Sequence, residues 1–231
     1  MKKVIGAILC GGYGTRFGLN IPKSLSKINS KITVLEKQIL DLKNVGINKI
    51  YLLTGKGHNK IFDKIGNEYK GVKIFYSKDE PKPLGTFRSI YNFIIKNNIN
   101  SDIILINGDI VTDMNLKKFI KISQKRNDIK MNMFITKLKI RYGLTKLDKD
   151  YIVEFIEKPK INIYINGGIY YFKKNIIIDI IKQENEIYGD IEKKLFPILA
   201  KEKKIGFYKE DNAFWKSIET VKDLKEVQEK F

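Results

Sequence analysis

Short apolar runs and helical stripes alternate along the first half of the chain. Residues 4–10 are continuously apolar and run into glycines, the pattern of a buried strand. Thr33 and Glu36 have the spacing of a capping box, and Leu35, Ile39 and Leu42 then share one helical face until Gly46. Residues 50–54 predict a second strand, 60–65 a short helix and 72–77 a third strand. Thr86 opens a helix with Phe87, Ile90, Tyr91 and Ile94 on one face. Residues 102–106 form another apolar run, ending in Asn107-Gly108-Asp109. The second half is mixed. It predicts a strand over 130–138, a hairpin of 144–147 and 151–156 around the turn 148–150, and a strand over 169–172 after Gly167-Gly168. Helices are expected over 173–183 and 190–200, and a strand over 205–208. A last helix from Thr220 would turn Val221, Leu224, Val227 and Phe231 inward, and His58 is expected in a solvent-exposed Gly-His-Asn loop.

Strand and helix alternation predicts an α/β fold: three layers, doubly wound, with a mostly parallel sheet. In such sheets ligands sit beyond the carboxyl ends of the strands. Two polar clusters fall there, residues 11–16 and 107–109. A length of 231 residues allows one large domain or two small ones. With no Ser/Gly-rich linker and no internal repeat, a single domain over 1–231 is expected, with halves 1–115 and 116–231.

The glycine loop after the first strand, LCGGYGTRFG, admits three readings. A lipoprotein signal fails because the apolar core is too short and bulky Leu9 precedes Cys10. A dinucleotide-binding turn fails because Phe17 stands where the third glycine belongs, and the P-loop spacing does not occur. What remains is a different glycine loop, followed by Arg16, Pro22 and Lys23. Glycine lets backbone N–H groups approach phosphates, and arginine supplies a bidentate fork. Taken alone, the loop fits phosphate binding and a tight turn with a surface arginine equally.

Composition narrows the partners. No apolar run approaches a membrane span, and the single Cys10 excludes an intramolecular disulfide and fits a reducing cytoplasm. A net charge of +18 suits polyanions: nucleic acid, an anionic membrane, or nucleotide and sugar phosphates. The lysines are scattered, however, as on a solvated surface, and the aromatic residues do not interleave with basic ones as on a nucleic-acid platform. Neither nucleic acid nor membrane is therefore expected as a partner.

Seven segments in order resemble the sugar-1-phosphate nucleotidyltransferases, over nearly the whole chain. They are LCGGYGTRFG with Pro22-Lys23; Pro83-Leu84-Gly85-Thr86; Ile106-Asn107-Gly108-Asp109; Tyr142-Gly143 with Phe155-Ile156-Glu157-Lys158-Pro159; Asn166-Gly167-Gly168-Ile169-Tyr170; Asp190-Ile191-Glu192-Lys193; and Phe214-Trp215 to Leu224. The short members that activate heptose or mannose 1-phosphates with GTP are the most similar in general likeness. One position departs. The family's closing W-x-D-I-G-T reads Trp215-Lys216-Ser217-Ile218-Glu219-Thr220 here, so Ser217 stands where a second metal-binding aspartate is usual.

The resemblance implies a Rossmann-like nucleotidyltransferase fold with a nucleotide-binding first half and a sugar-phosphate-binding second half. It implies no appended C-terminal β-helix and no built-in oligomerisation module, though a homo-oligomer remains possible. The implied reaction is attack of a sugar 1-phosphate on the α-phosphorus of a nucleoside triphosphate, with pyrophosphate leaving. Leu9, Gly11, Gly12, Gly14, Thr15, Pro83, Gly85 and Thr86 would line the nucleotide. Arg16 would hold the triphosphate tail, Lys23 the α-phosphate and Lys158 the sugar phosphate, while Gly143, Glu157 and Asn166 would flank the sugar. Asp109 would bind Mg²⁺, the implied cofactor, with Glu219 or Asp211 able to replace the missing carboxylate. Plainer readings stand beside these. Arg16 and Lys23 could be surface cations, Asp109 a turn or capping residue, and Lys158 the flank of a proline turn. The chain could also be a nucleotide-sugar-binding homologue impaired by Ser217.

Overall fold

The computed structural model describes residues 3–12, 21–79, 85–140, 142–183 and 188–231. Its first strand, β1 (Val4–Leu9), is followed by a 3₁₀ turn over Lys23–Leu25 and by α1 (Val34–Asn44). Thr33 caps α1 with both halves of the box in place: its hydroxyl accepts from Glu36 N, and Glu36 Oε2 accepts from Thr33 N at 2.7 Å. Then come β2 (Lys49–Thr54), α2 (His58–Ile65), β3 (Glu68–Tyr69), β4 (Val72–Lys78), α3 (Thr86–Lys96), β5 (Asp102–Asn107) and β6 (Ile110–Thr112). The second half contributes α4 (Leu116–Lys125), β7 (Met131–Lys139), β8 (Leu144–Asp148), β9 (Tyr151–Ile156) and β10 (Lys160–Phe172). The described chain continues through α5 (Ile176–Lys182), α6 (Ile191–Lys194), α7 (Phe196–Lys201), β11 (Ile205–Lys209), β12 (Trp215–Ser217) and α8 (Val221–Lys230).

Eight strands form one sheet in the order β11-β7-β10-β5-β1-β2-β4-β3. The pairs β5–β1, β1–β2, β2–β4 and β7–β11 are parallel, and β10 runs antiparallel between β5 and β7. Apolar side chains cover both faces, as a doubly wound sheet requires. Phe87, Phe93, Ile180 and Leu199 pack on one face, and Leu35, Ile39, Ile61 and Phe119 on the other. The expected fold class is therefore the observed one.

Several local expectations change. The strand expected over 169–172 is longer: β10 begins at Lys160 and includes Gly167-Gly168, where the register against β7 shifts between Asn166 and Tyr170. The helix expected over 190–200 divides at Leu195 into α6 and α7, with a proline opening the second. Helix α4, capped by Asn115, was not anticipated among its six flanking polar and basic positions, although Leu116, Phe119 and Ile120 are its buried face. In α8, Val227 is buried and Leu224 partly so, but Val221 is 51% exposed because it lies about a quarter turn around the helix from that face. Phe231, also expected inward, is 39% exposed, edging against Phe214 with the Lys37 ammonium over its ring. His58 is not in an exposed loop. It is the half-buried first residue of α2, with Nδ1 3.0 Å from Thr54 Oγ1 and its ring edge-on to Tyr76.

Candidate functional site

A cavity of about 490 Å³ opens beyond the carboxyl ends of β1, β2 and β5. Its floor is made where the two central strands, paired in parallel, end side by side. Gly108 N donates to Leu9 O at 3.0 Å, and a Cβ at Gly108 would stand 2.4 Å from that oxygen, so only glycine permits the approach. Gln38, buried on α1, donates through Nε2 to Asn107 O and Ile110 O at 3.0 and 2.8 Å. That amide pins both sides of the turn that presents Asp109. From the other end of the chain, Ile218 N donates to Asp109 O at 2.9 Å, and β12 pairs with β6. Helix α3 supplies a second wall. Its cap, Gly85, has φ +100°, and a Cβ there would meet Gly189 O at 2.1 Å.

Lys23 and Asp109 meet across this floor, Nζ to Oδ2 at 3.6 Å, with side chains only 17% and 27% exposed. Burial raises the Asp109 carboxyl, the Lys23 ammonium pulls it back down, and the Glu219 carboxylate adds to the rise. Two carboxylates close enough to raise one another beside Lys23 form an arrangement that added positive charge would stabilise. Asn107 Oδ1, also on the cavity wall, is buried without a hydrogen-bond partner among the described residues. These hard oxygen donors fit a divalent cation. Among the described residues no three His, Cys, Asp or Glu side chains gather at one point. Mg²⁺, however, is commonly held by one or two carboxylates together with substrate phosphates.

The structure brings Leu9, Gly11, Gly12, Lys23, Gly85, Thr86 and Asp109 to this one cavity. Gly14, Thr15, Arg16 and Pro83 lie outside the described residues. Gly143, Glu157, Lys158 and Asn166 do not line the cavity. Asn166 is nevertheless tied to it by a relay. Its Nδ2 donates to Tyr170 OH at 2.7 Å, Tyr170 donates to Glu192 Oε1 at 3.3 Å, and Thr86 Oγ1 donates to Glu192 Oε2 at 3.2 Å. Burial first, then the charge of Glu192, drives the Tyr170 phenol upward, so it remains a donor. Gly143, Glu157 and Lys158 sit instead at the base of the β8–β9 hairpin, and Lys158 Nζ contacts Glu157 Oε1 at 3.5 Å.

Sequence reasoning missed Ser24, Asp79 and Ser89, which also line the cavity, as does Asp190 of the Asp190-Ile191-Glu192-Lys193 segment. Asp79 follows β4 as a buried carboxylate raised by desolvation, and the Ser89 hydroxyl donates to it. Its place at a strand's carboxyl end was a usable signal. Ser89 offered none, being one of several polar positions on α3.

The Nucleotidyl transferase family matches residues 5–231, and the chain belongs to that family. It is 34% identical over 184 residues to D-glycero-alpha-D-manno-heptose 1-phosphate guanylyltransferase of Campylobacter jejuni, covering 77% of this chain and 79% of that one. It is 32% identical over 234 residues to mannose-1-phosphate guanyltransferase of Saccharomyces cerevisiae, covering 95% of this chain but 62% of the yeast protein. In structure it is similar to HddC of Yersinia pseudotuberculosis, solved in complex with GMP-PN. The TM-score is 0.72 at 26% identity, with all of both chains covered.

Proposed function

We propose that this chain transfers a nucleoside monophosphate from GTP to a heptose- or mannose-type sugar 1-phosphate, releasing pyrophosphate. The observation that carries the reading is the Lys23–Asp109 pair on the floor of a glycine-walled cavity at the adjoining carboxyl ends of β1 and β5. Both substrates are anions, so positioning and charge neutralisation are most of the catalytic task. Lys23 would neutralise the α-phosphate as negative charge develops there. The sugar phosphate is already ionised and needs no general base. Thr86, the Asn166–Tyr170–Glu192 relay and Lys158 would set the two substrates against each other. Asp109, with Glu219 and Asn107 at hand, would hold Mg²⁺, which would supply positive charge against the phosphates. The identities of both guanylyltransferase relatives support the choice of base and sugar. The shared eight-stranded sheet supports one domain over 1–231, and among the described residues no helix is long and apolar enough to cross a membrane. A cytoplasmic enzyme is in keeping with the lone, buried Cys10.

The impaired-homologue reading rests on Ser217. Its strand is in place opposite Ile110, and two residues on Glu219 lies close enough to act on Asp109 by charge, which favours the active reading. Pyrophosphate release, measured with Mg²⁺, each of four triphosphates and a series of sugar 1-phosphates, tests it. Release with GTP and a manno-configured sugar is expected. Glu219→Gln should raise the Mg²⁺ needed for half-maximal rate several-fold, and Ser217→Asp should change it little. No release with any pair would make the chain a binding protein.

A further inference from the structure

One carboxylate on the cavity wall is only half engaged. Asp79 lines the cavity and is 8% exposed. Its Oδ2 accepts from the Ser89 hydroxyl, and its Oδ1 is buried without a hydrogen-bond partner among the described residues. Burial raises the carboxyl, while Ser89, Asn92, Lys96 and Arg88, all on α3, stand near enough to lower it and favour its ionised form. A buried acceptor left bare costs stability until a donor meets it, and here the open side is a ligand cavity.

The place of Asp79 in the sheet says which part of a nucleotide it meets. Asp79 follows β4, and its N–H donates to Thr54 O at 2.9 Å, beside the end of β2. The strand order β5-β1-β2-β4 puts three strand spacings between the end that presents Asp109 and the end that presents Asp79. At about 4.8 Å each, these amount to about 14 Å between the two backbones. Less the reach of the two side chains, that is the span of a nucleotide from its phosphates to the far edge of its base. A nucleotide with its phosphates at Lys23 and Asp109 extends over the ends of β1 and β2 and brings its base to Asp79. We propose that Asp79 reads the nucleobase and selects guanine by accepting from its ring N1–H and its 2-amino group. The proposal rests on the nucleotidyl-transfer reading for the direction in which the nucleotide lies. The selection follows from the chemistry of the edges. An ionised carboxylate has acceptors only, two on each oxygen, so Oδ2 can take a base donor and keep Ser89. Guanine presents two adjacent N–H donors. Adenine and cytosine set a ring-nitrogen lone pair against the carboxylate, and uracil and thymine flank a single N–H with two carbonyl oxygens, so each meets repulsion there.

The test is equilibrium binding of GDP, IDP and ADP to the full chain by calorimetry, which needs no turnover. IDP differs from GDP only in lacking the 2-amino group. Wild type should bind GDP about tenfold or more tighter than IDP, the worth of one hydrogen bond to a charged group, and ADP more weakly still. Asp79→Asn keeps the shape and the bond from Ser89 but turns an amide donor toward the base. It should bring the GDP/IDP ratio to about one and weaken GDP far more than ADP. Should that variant fail to fold, wild type with 1-methyl-GDP, whose N1–H is blocked, gives the same test and should bind no better than with ADP. Equal binding of GDP and IDP by wild type, or a GDP/ADP ratio unchanged in Asp79→Asn, overturns the proposal. So does an equal loss for all three nucleotides, which would put the carboxylate on the ribose, or a loss of stability alone, which would make the α3 groups its partners. Pyrophosphate release is read separately. A wild type that prefers GDP but releases none sinks the transfer reading and leaves Asp79 standing. Release from a wild type whose base preference survives Asp79→Asn does the reverse.

Discussion

The floor of the cavity and the hairpin leading into Glu157 and Lys158 hold the side chains proposed to act on opposite terms. On the floor, the backbone on either side of Asp109 is fixed from three directions: by Leu9 of the neighbouring β1, by Gln38 from α1 and by Ile218 directly after β12. On the hairpin no described element packs behind the side chains. Glu157 and Lys158 hold each other and are 58% and 67% exposed. The difference separates two jobs. A group that must meet charge developing at one atom needs a preorganised setting, whereas a group that captures an incoming phosphate can work from a mobile, solvated arm.

The largest effect that would break this contrast is at Lys23. Lys23→Ala should lower kcat by about a hundredfold or more, because it removes a preorganised charge from the transition state. Asp109→Asn, which keeps the shape of the turn, should abolish Mg²⁺-dependent turnover at limiting metal while thermal unfolding stays near wild type. If either variant folds and turns over normally, the floor is not where chemistry occurs.

Gln38→Leu probes the floor from behind. It leaves the carbonyls of Asn107 and Ile110 buried without their shared donor, at a cost of about 1–3 kcal/mol read from urea denaturation. Turnover should fall with it, since the turn bearing Asp109 loses its anchor. Unchanged stability would mean that β12 alone holds the turn.

How legible these two regions were in the sequence follows from the range of the interactions that make them. The α1 cap was fully readable, because Thr33 and Glu36 are three residues apart and each satisfies the other. The hairpin was readable from its two apolar runs and polar turn, yet its isolation was not, since exposure depends on what else packs there. Gly167-Gly168 reads as the stretch before a strand and lies inside one because β7 pairs on both sides of it. The strand-end clusters that line the cavity, Gly11-Gly12 and residues 107–109, were legible. The relay from Asn166 through Tyr170 and Glu192 to Thr86 was not, since its members come from three elements far apart in the chain.

Lys158→Ala gives the smaller, complementary effect expected of the hairpin. KM for the sugar 1-phosphate should rise about tenfold, the order of about 1.4 kcal/mol of binding, with kcat at saturation and stability little changed. A fall in kcat equal to that of Lys23→Ala would place Lys158 in the transition state and erase the distinction between floor and arm.

The smallest effect sharpens the contrast from the scaffold side, at Glu36. Burial would raise this carboxyl, but hydrogen bonds from Thr33 N, Thr33 Oγ1 and Tyr69 OH, and the charge of Lys64, together lower it below its ordinary value. The ionised form is thus the one the fold prefers. A carboxyl lower in the folded than in the unfolded chain contributes stability above its unfolded value, near 4.5, and loses it as pH falls through the folded value. Glu36→Gln should therefore cost about 1 kcal/mol at neutral pH, as lost caps do, and wild type and variant should converge in stability as the solution is acidified below that point. Lys158→Ala, on an arm with no such buried partner, should stay parallel to wild type over the same acid range. If the Glu36→Gln and wild-type curves ran parallel instead, the box would be contributing shape alone, and charge would not be what anchors α1 behind the cavity floor.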